Sequence, residues 1–158
     1  MKIEKHIITR VEQDISIKEI TLLSVEKYER CKEYIKPING WWWLRSPGHI
    51  PHYAACIDDY GSVDTCGNFV SVDVEVVRPV VVLRLSESKT PNLQIGDNFE
   101  MAGFSWTMIA DDMALCDTGV GQTAFRKDWQ ADDANVYEAS DVKKWLERWA
   151  KERMIVNG

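Results

Sequence analysis

The sequence predicts the α+β fold class, with mainly antiparallel short strands and two helices that stand apart along the chain. Alternating or continuous apolar runs, separated by turn residues, fill residues 41–84 and 96–116. Capped helical patterns begin after Ser24 and after Ser140. Runs of strands with separate helices are typical of α+β domains.

The first helix follows a β segment. Alternation of β-branched residues indicates one strand, or two short ones, over 15–23, and Ser24 then has the place of an N-cap. Apolar residues at helical spacing continue to Ile35, and Pro37 ends the helix. The segments "WWWLR" and "YAACID" that follow are strand candidates, and a turn over 59–61 follows the second.

The β-rich block continues through three more predicted strands. "SVDTC" is short and ends at a predicted turn over 67–68. "FVSVDVEV" carries valines at alternate positions from 70 to 76, which is the pattern of a half-buried antiparallel strand. The run over 80–83 is apolar throughout, as in a central strand. Pro79 should precede that strand, because proline cannot donate a ladder hydrogen bond.

The second half of the chain predicts a linker, a β-meander and the last helix. The linker covers 86–92, and the meander covers 96–116 with turns at 102–103 and 111–112. A polar loop with aromatic anchors spans 118–139. The last helix has an apolar stripe at i, i+3, i+4 and i+7, formed by Val142, Trp145, Leu146 and Trp149.

Composition limits the classes of function. The chain has 158 residues, of which 45% are apolar and 28% charged, and this suits one globular domain with its own core. The net charge of −6 argues against nucleic acid as a direct partner, because phosphate binding requires clustered Lys and Arg. Solubility is the simpler explanation of the acidity, and an acidic surface for a basic partner is the alternative.

Targeting signals and cysteine usage indicate the compartment. No stretch approaches the roughly 20 apolar residues of a membrane span, and the first residues lack the apolar region of a signal peptide. The four cysteines form no C-x-x-C pair and are too few for a disulfide scaffold. We therefore expect a cytoplasmic protein with reduced thiols, without a zinc site and without a membrane partner.

Two motifs give the chain a family resemblance. The sequence "WWLRSPG" (Trp42 to Gly48) is followed by Ala55, "DDYG" (58–61) and Val63, and then by "VRP" (77–79). This frame resembles an uncharacterised domain family of Firmicutes and their phages. It is similar to the C-type-lectin-like domains that diversity-generating retroelements target and, more distantly, to the fold of formylglycine-generating enzymes. These relatives include binding modules and enzymes, so the fold does not decide the function.

Three further segments are similar to the same family but stand in another order: 19–31, 96–116 and 137–149. In the family, the hairpin and the W-L-N helix precede the WWLRSPG block, whereas here they follow it, and Glu147 replaces the Asn. The resemblance implies a circularly permuted C-type-lectin-like domain over residues 1–158, with segments 1–85 and 93–158. The alternative is the tail of one unit joined to the head of another.

The resemblance gives structural roles to the frame residues Trp42, Trp43, Arg45, Arg78 and Pro79. Consecutive strand residues face opposite sides, so three tryptophans in a row cannot share one face. We expect at least one of Trp42 and Trp43 in the core, and Arg45 bound to a carboxylate or a carbonyl. Trp41 lies outside the motif, and we expect it to be the more exposed ring.

The residues between the two frame motifs correspond to the variable binding face of the retroelement targets. Together with Trp41, the candidates for binding are His49, His52, Tyr53, Asp58, Asp59, Tyr60, Asp64, Asn68, Phe69 and Asp73. Tyr, Asn, Asp and His suit adaptable recognition, because rigid rings and small polar groups make contacts at low entropic cost. A solvated loop is the alternative interpretation of the same residues.

The histidines of this region do not predict a metal site. His49 and His52 are three positions apart, but Pro47 and Pro51 disfavour the helix that would present both rings on one side. The lectin calcium motifs E-P-N, Q-P-D and W-N-D are absent from the sequence. The sequence therefore predicts no metal and no cofactor.

Two cysteines leave an enzymatic alternative open. Cys56 and Cys66 could meet across a hairpin, because Gly61 lies midway between them. Paired cysteines perform the chemistry in formylglycine-generating enzymes, although their local sequence context is not reproduced here. Buried cysteine behaves as a small apolar residue, so core positions are the simpler interpretation.

The sequence thus predicts a non-enzymatic module that binds a macromolecule, a protein, through the loops between His49 and Asp73. Two other classes remain open. One is a phage-type inhibitor that blocks a host nucleic-acid enzyme through its acidic surface, and the other is an enzyme of the formylglycine-generating type. The sequence names neither the partner nor the oligomeric state.

Overall fold

The computed structural model describes residues 8–10, 16–84 and 93–153, so the predicted linker over 86–92 lies outside the described residues. The strands within them are β1 (Ile8–Arg10), β2 (Ser16–Thr21), β3 (Trp42–Pro47), β4 (Tyr53–Ile57), β5 (Val63–Phe69), β6 (Val76–Val77), β7 (Val80–Arg84), β8 (Asn98–Met101), β9 (Phe104–Ala110), β10 (Met113–Cys116) and β11 (Gly121–Gln122). The α-helices are α1 (Val25–Cys31) and α2 (Asp141–Arg153), and short 3-10 turns cover Lys32–Tyr34 and Tyr137–Ala139. These elements confirm the α+β class.

The strands form two sheets that are mostly antiparallel. One has six strands in the order β1-β8-β9-β10-β7-β2, and the other has five in the order β11-β6-β3-β4-β5. Among the described pairs only β1 with β8 and β3 with β6 run parallel. Strand β7 pairs with β2 on one side and with β10 on the other, so both halves of the chain contribute to the six-stranded sheet.

Both helices begin where the sequence predicts. The Ser24 hydroxyl accepts a hydrogen bond from the Lys27 amide at 3.1 Å, and the Ser140 hydroxyl accepts one from the Lys143 amide at 3.1 Å. Each cap satisfies an N–H group that a helix start leaves free. Neither described helix has the length and apolar content needed to cross a lipid bilayer. The buried side of α2 consists of Val142, Leu146, Trp149 and Ala150.

Consecutive tryptophans of β3 fill two separate apolar clusters. Trp43 is fully buried in one cluster, where its ring lies 5.5 Å from that of Phe125. Trp42 packs in the other cluster, with its ring 5.7 Å from that of Tyr28. The two rings diverge because neighbouring strand residues point to opposite faces of the sheet. Trp41, which precedes the strand, remains 38% exposed.

The predicted β-meander is confirmed together with its two turns. Strands β8 and β9 are joined by Ala102 and Gly103, whose φ angles are 56° and 83°. The residues 111–112 join β9 to β10. Pro79 precedes β7, as predicted, and β7 is an internal strand of its sheet. Proline therefore removes no hydrogen bond from the ladder.

The predicted strand over 69–76 is wrong for residues 70–75, because only its first residue, in β5, and its last residue, in β6, lie in strands. The Val70 amide donates to the carbonyl of His52 at 2.8 Å, and the carbonyl of Val70 accepts from the Arg126 amide at 2.9 Å. Glu75, expected on the solvent side, is buried. Hydrogen bonds to two distant loops therefore replace the regular strand pairing that the local alternation indicates.

The predicted turn over 67–68 is also wrong, since both residues lie within β5. Gly67 has a φ of 89°, and a Cβ atom there would lie 2.2 Å from the carbonyl oxygen of Ala54. The register between β4 and β5 shifts at this point. Glycine is therefore needed for a bulge and a close approach of two strands, and the chain does not reverse here.

Candidate functional site

The β4–β5 hairpin separates the predicted binding residues into two groups. Its register pairs Tyr53 with Phe69 at one end and Ile57 with Val63 at the other. The first end carries His49, His52, Tyr53, Asn68 and Phe69. The second end carries Asp58, Asp59, Tyr60 and Asp64, and Trp41 immediately precedes Trp42, which pairs with Ile57 at that end. Asp73 is exposed on the loop that follows β5, so the structure does not bring all of the candidates into one surface.

Four rings at the first end pack together into what we call the aromatic face: His52, Tyr53, Phe69 and Trp129. The His52 and Trp129 rings lie 5.2 Å apart and perpendicular, and the Phe69 and Trp129 rings lie 5.4 Å apart. The Tyr53 and Phe69 rings lie 6.0 Å apart. Trp129 is 38% exposed and the other three rings are half-buried, so the cluster forms part of the surface.

Hydrogen bonds between loops hold the aromatic face in place. The His52 Nδ1–H donates to the carbonyl of Trp129 at 3.0 Å, which fixes the ring orientation. The side-chain amide of Asn135 donates through Nδ2 to the backbone carbonyls of Ile50 and Tyr53, at 3.1 and 3.2 Å. These bonds tie the loop that carries Trp129 to Ile50, which precedes β4, and to Tyr53, the first residue of β4. The rings are therefore held in place by hydrogen bonds within the chain itself.

Exposed carboxylates flank the aromatic face. Asp128 and Asp132 are exposed on the loop that carries Trp129, and Ile50 is 39% exposed beside the tied carbonyls. Lys127 is the exposed cation of the same loop. This part of the surface therefore combines apolar area with negative charge. Sequence reasoning assigned Trp129 only to a polar loop with aromatic anchors and did not select it as a site residue.

Asp58 and Asp59, at the second end of the hairpin, accept hydrogen bonds from backbone amides. Asp58 Oδ1 accepts from the Tyr60 and Ser62 amides, both at 2.9 Å, and Asp59 Oδ1 accepts from the Gly40 amide at 2.8 Å. Such bonds are typical of aspartate in turns. The Tyr60 side chain is 91% exposed. Tyr60 is thus a free ring, whereas the two aspartates shape the backbone.

A buried carboxyl lies behind the aromatic face. Glu75 is 2% exposed, and its Oε2 accepts a hydrogen bond from the side-chain amide of Asn68 (Nδ2) at 2.5 Å. Within the described residues, Glu75 Oε1 has no hydrogen-bond partner. Burial raises the pKa of Glu75 to about 7, and the Asn68 amide opposes that shift. The side-chain oxygen of Asn68, Oδ1, also accepts from the Phe69 backbone amide at 2.9 Å, which links Glu75 to the backbone of an aromatic-face residue.

Cys56 and Cys66, which the sequence allowed to meet across a hairpin, are not paired in the structure. Cys56 is buried, Cys66 is exposed, and both are free thiols. The register places Asp64 opposite Cys56, and the bulge in β5 then displaces Cys66. Burial raises the pKa of the Cys56 thiol, and the Glu75 carboxylate raises it further. A buried thiol with a raised pKa is a poor nucleophile, so Cys56 has the character of a core residue.

The remaining histidine candidate stands apart from other ligands. His49 is exposed, and its amide donates to the carbonyl of Cys66 at 2.9 Å. Across residues 8–10, 16–84 and 93–153, no group of three or more His, Cys, Asp or Glu side chains is placed to hold a metal ion. The His49 side chain is thus available at the surface beside the aromatic face.

Arg45 of the frame joins three elements. Its Nη1 donates to the Thr21 hydroxyl at 2.9 Å, and its Nη2 donates to the Glu138 carboxylate at 2.7 Å. The guanidinium also lies over the Tyr137 ring, 4.7 Å from its centroid. Arg45 therefore fastens β2 and β3 to the 3-10 turn that precedes α2, and it lines no cavity described here.

Arg78 of the frame is almost completely buried. Its Nε donates to the carbonyl of Cys116 and its Nη2 to the carbonyl of Lys36, both at 2.7 Å. The guanidinium lies 4.9 Å from the centroid of the Trp42 ring. Burial lowers the pKa of Arg78 to about 10, and the Asp117 carboxylate opposes that shift. Arg78 thus joins the V-R-P segment to residues of both halves.

A groove of about 630 Å³ runs between residues 37–39 and 117–122. Asp59 and Asp117 line it. Asp117 accepts from Lys36 Nζ at 3.1 Å, from the Ser105 hydroxyl at 2.7 Å and from the Thr107 hydroxyl. Because these bonds occupy both oxygens of Asp117, the groove offers no free carboxylate from this residue for acid–base chemistry.

The chain was also compared with known proteins. No protein-family model, no curated protein and no solved structure matches it. The assignment of a function therefore rests on the geometry of the aromatic face and on the motifs of the sequence.

Proposed function

We propose that the protein is a non-enzymatic binding module that recognises a protein partner through the aromatic face. The proposal rests on the cluster of His52, Tyr53, Phe69 and Trp129. These rings come from three separate segments of the chain. Aromatic residues on a well-held surface are typical anchors of protein interfaces. Burying the exposed part of Trp129 under an apolar partner side chain would supply the main contact.

The flanking charges favour a basic partner. Asp128 and Asp132 are exposed beside Trp129, and the whole chain carries a net charge of −6. Rim charges of this kind steer a partner of opposite charge and act mainly on the association rate. We therefore expect an interface in which apolar contact at Trp129 determines affinity and the carboxylates determine orientation.

Loss of the aromatic face tests the proposal. Partners captured from a lysate of the source organism should be retained by the native chain and by Tyr60→Ala, and lost with Trp129→Ala. Tyr60 is the matched control, because it is a more exposed ring at the other end of the hairpin. The Kd of a purified partner should rise at least about 30-fold with Trp129→Ala, as for an interface hot spot. A partner that binds Trp129→Ala as tightly as the native chain would refute the proposal.

An acidic inhibitor of a host nucleic-acid enzyme is the second candidate. The exposed carboxylates Asp128 and Asp132 favour it, because nucleic-acid enzymes present basic clefts. This candidate predicts that affinity falls steeply between 50 and 300 mM salt, on the order of tenfold or more. Affinity that is insensitive to salt supports the binding module alone. The two cysteines do not favour the enzymatic alternative, because Cys56 lies opposite Asp64 in the register and Cys66 is exposed.

We further infer that the fold is C-type-lectin-like and circularly permuted, and that the two segments form one unit. Strand β7 of the first segment pairs with β10 of the second, and Trp43 Nε1 donates to the carbonyl of Thr123 at 2.8 Å. Separate expression of 1–85 and 93–158 tests this inference. Neither piece should give a cooperative unfolding transition, and the two should regain it when mixed. A cooperative transition in either piece alone would favour two joined half units.

A cytoplasmic location is part of the same proposal. All four cysteines are free thiols, namely Cys31, Cys56, Cys66 and Cys116. Three of them are buried, and Cys66 is exposed. An exposed free thiol persists in a reducing compartment and is oxidised outside one. Thiol labelling of the protein in intact cells should therefore find Cys66 reduced.

A further inference from the structure

A buried carboxyl group is linked to the aromatic face by a chain of hydrogen bonds. Glu75 is 2% exposed, its Oε2 accepts from Asn68 Nδ2, and its Oε1 has no hydrogen-bond partner among the described residues. Asn68 Oδ1 in turn accepts from the backbone amide of Phe69 at 2.9 Å. The Asn68 side chain therefore bridges Glu75 and a residue whose ring belongs to the aromatic face.

The segment that carries Glu75 also bonds to the backbone of both neighbouring loops. It covers residues 70–75, between β5 and β6. The Val70 amide donates to the carbonyl of His52 at 2.8 Å, and the Val70 carbonyl accepts from the Arg126 amide at 2.9 Å. His52 belongs to the aromatic face, and Arg126 lies three positions before Trp129. One short segment thus carries the buried carboxyl at one end and holds the loops of the exposed rings at the other.

The groups that face Glu75 do not offset a negative charge. None of the ion pairs within the described parts of the chain includes Glu75. From β4, the Cys56 thiol faces it, and burial keeps that thiol protonated by raising its pKa. From β5, Asn68 donates to it and the Asp64 carboxylate adds a like charge, while the Thr123 amide bonds only to its backbone carbonyl. Burial, with a smaller contribution from Asp64, therefore raises the pKa of Glu75 to about 7.

We propose that Glu75 is a pH switch for the aromatic face, a proposal that rests on the binding function assigned to that face. While the carboxyl is protonated it stays buried, and residues 70–75 keep their bonds to His52 and Arg126. After the proton is lost to solvent, water stabilises the carboxylate better than the interior does, so the segment is released by local opening. The face then loses its fixed arrangement, and affinity for the partner falls as the pH rises.

The expected pH dependence has a definite size. With a pKa of about 7, the protonated fraction of Glu75 is about 0.9 at pH 6 and about 0.1 at pH 8. Because apparent affinity scales with the binding-competent fraction, the Kd of a partner should be about tenfold higher at pH 8 than at pH 6. His52 can also take up a proton, but that contribution is the same in Glu75→Gln, so the difference between the two chains isolates Glu75.

Spectra of the free protein test the switch without a partner. In ¹H–¹⁵N spectra from pH 5.5 to 8.5, the Trp129 indole N–H and the Arg126 amide should show a transition with a midpoint near pH 7. Glu75→Gln keeps the shape of the protonated side chain and cannot ionise, so it should lack this transition. Glu100→Gln, which alters an exposed carboxylate, should follow the native chain. The native transition in Glu75→Gln would overturn the proposal, as would a native chain without one.

A second variant decides if Glu75→Gln does not fold. Asp64→Asn keeps an acceptor for the Gly67 amide, which Asp64 Oδ1 binds at 3.0 Å, and removes the like charge near Glu75. The midpoint of the transition should therefore move to lower pH. An unmoved midpoint would assign the transition to another group and overturn the switch.

A partner captured through the aromatic face extends the test to binding. Its Kd should rise about tenfold from pH 6 to pH 8 on the native chain and much less on Glu75→Gln. Equal pH dependence of the two chains would overturn the switch and leave binding at Trp129 intact. A partner that Trp129→Ala does not weaken would instead refute the proposed function, and the spectra of the free protein would still decide the switch.

Discussion

The two ends of the β4–β5 hairpin use aromatic side chains in opposite ways. At the Tyr53 end, the ring of Trp129 stays 38% exposed, while hydrogen bonds satisfy the carbonyls around it. At the Ile57 end, the ring of Trp42 is 2% exposed and lies against the guanidinium of Arg78, which is itself 1% exposed. An exposed ring on a tied loop suits a broad partner surface. A buried ring packed against a buried guanidinium contributes to the core.

The largest expected difference between the two ends is in stability. Trp42→Ala should lower the free energy of unfolding by about 3–5 kcal/mol, because it leaves a cavity in the core. Trp129→Ala should cost about 1 kcal/mol or less, because the ring is only partly buried. Chemical denaturation of the two variants measures both values. Equal losses would show that Trp129 has a core role and would weaken its assignment as a contact residue.

A smaller effect should come from Glu75, behind the aromatic face. Its pKa rises from 4.5 to about 7 on folding, so its contribution to stability is complete below pH 4.5 and is lost as the pH rises through 7. The full loss is about 3 kcal/mol. Glu75→Gln should remove this loss and make the protein more stable than the native chain at pH 8.

The control for this prediction is Glu100→Gln, since Glu100 is exposed. Urea denaturation at a series of pH values from 4.5 to 8 measures the stability of the native chain and both variants. The Glu100→Gln variant should follow the native pH profile. A Glu75→Gln variant with the native profile would show that Glu75 is ionised in the folded protein at pH 6.

The smallest effect concerns the loop that carries Trp129. Asn135→Ala removes two hydrogen bonds, to the carbonyls of Ile50 and Tyr53, and should cost about 1–2 kcal/mol. It should also speed amide hydrogen exchange in residues 126–135. Gln130→Ala on the same exposed loop is the control and should change neither quantity. Unchanged exchange in Asn135→Ala would mean that other contacts hold the loop.

Local sequence signals predicted the regular elements well. The Ser140 cap and the i, i+3, i+4 and i+7 stripe mark both the start of α2 and the side that packs on the core. The meander was predictable for a similar reason, because Ala102 and Gly103 make a tight turn between neighbouring strands. In both cases the residues that define the element are close together in the sequence.

The failures lie where distant segments decide the structure. The alternation over 70–76 indicates a strand, but its backbone bonds to His52 and Arg126 bend it into a loop. The alternation itself does not show that this backbone forms hydrogen bonds with His52 and Arg126. Trp129 was missed in the same way, since a polar loop has no period that shows which ring packs on His52 and Phe69.

The position of β7 between β2 and β10 has a consequence for synthesis on the ribosome. When residues up to Arg84 have emerged, β7 can pair with β2, but its other edge stays open until residue 116 has left the exit tunnel. An open apolar edge is a site where nascent chains associate. Slow translation while residues 85–116 emerge from the tunnel would therefore prolong the exposure and increase aggregation.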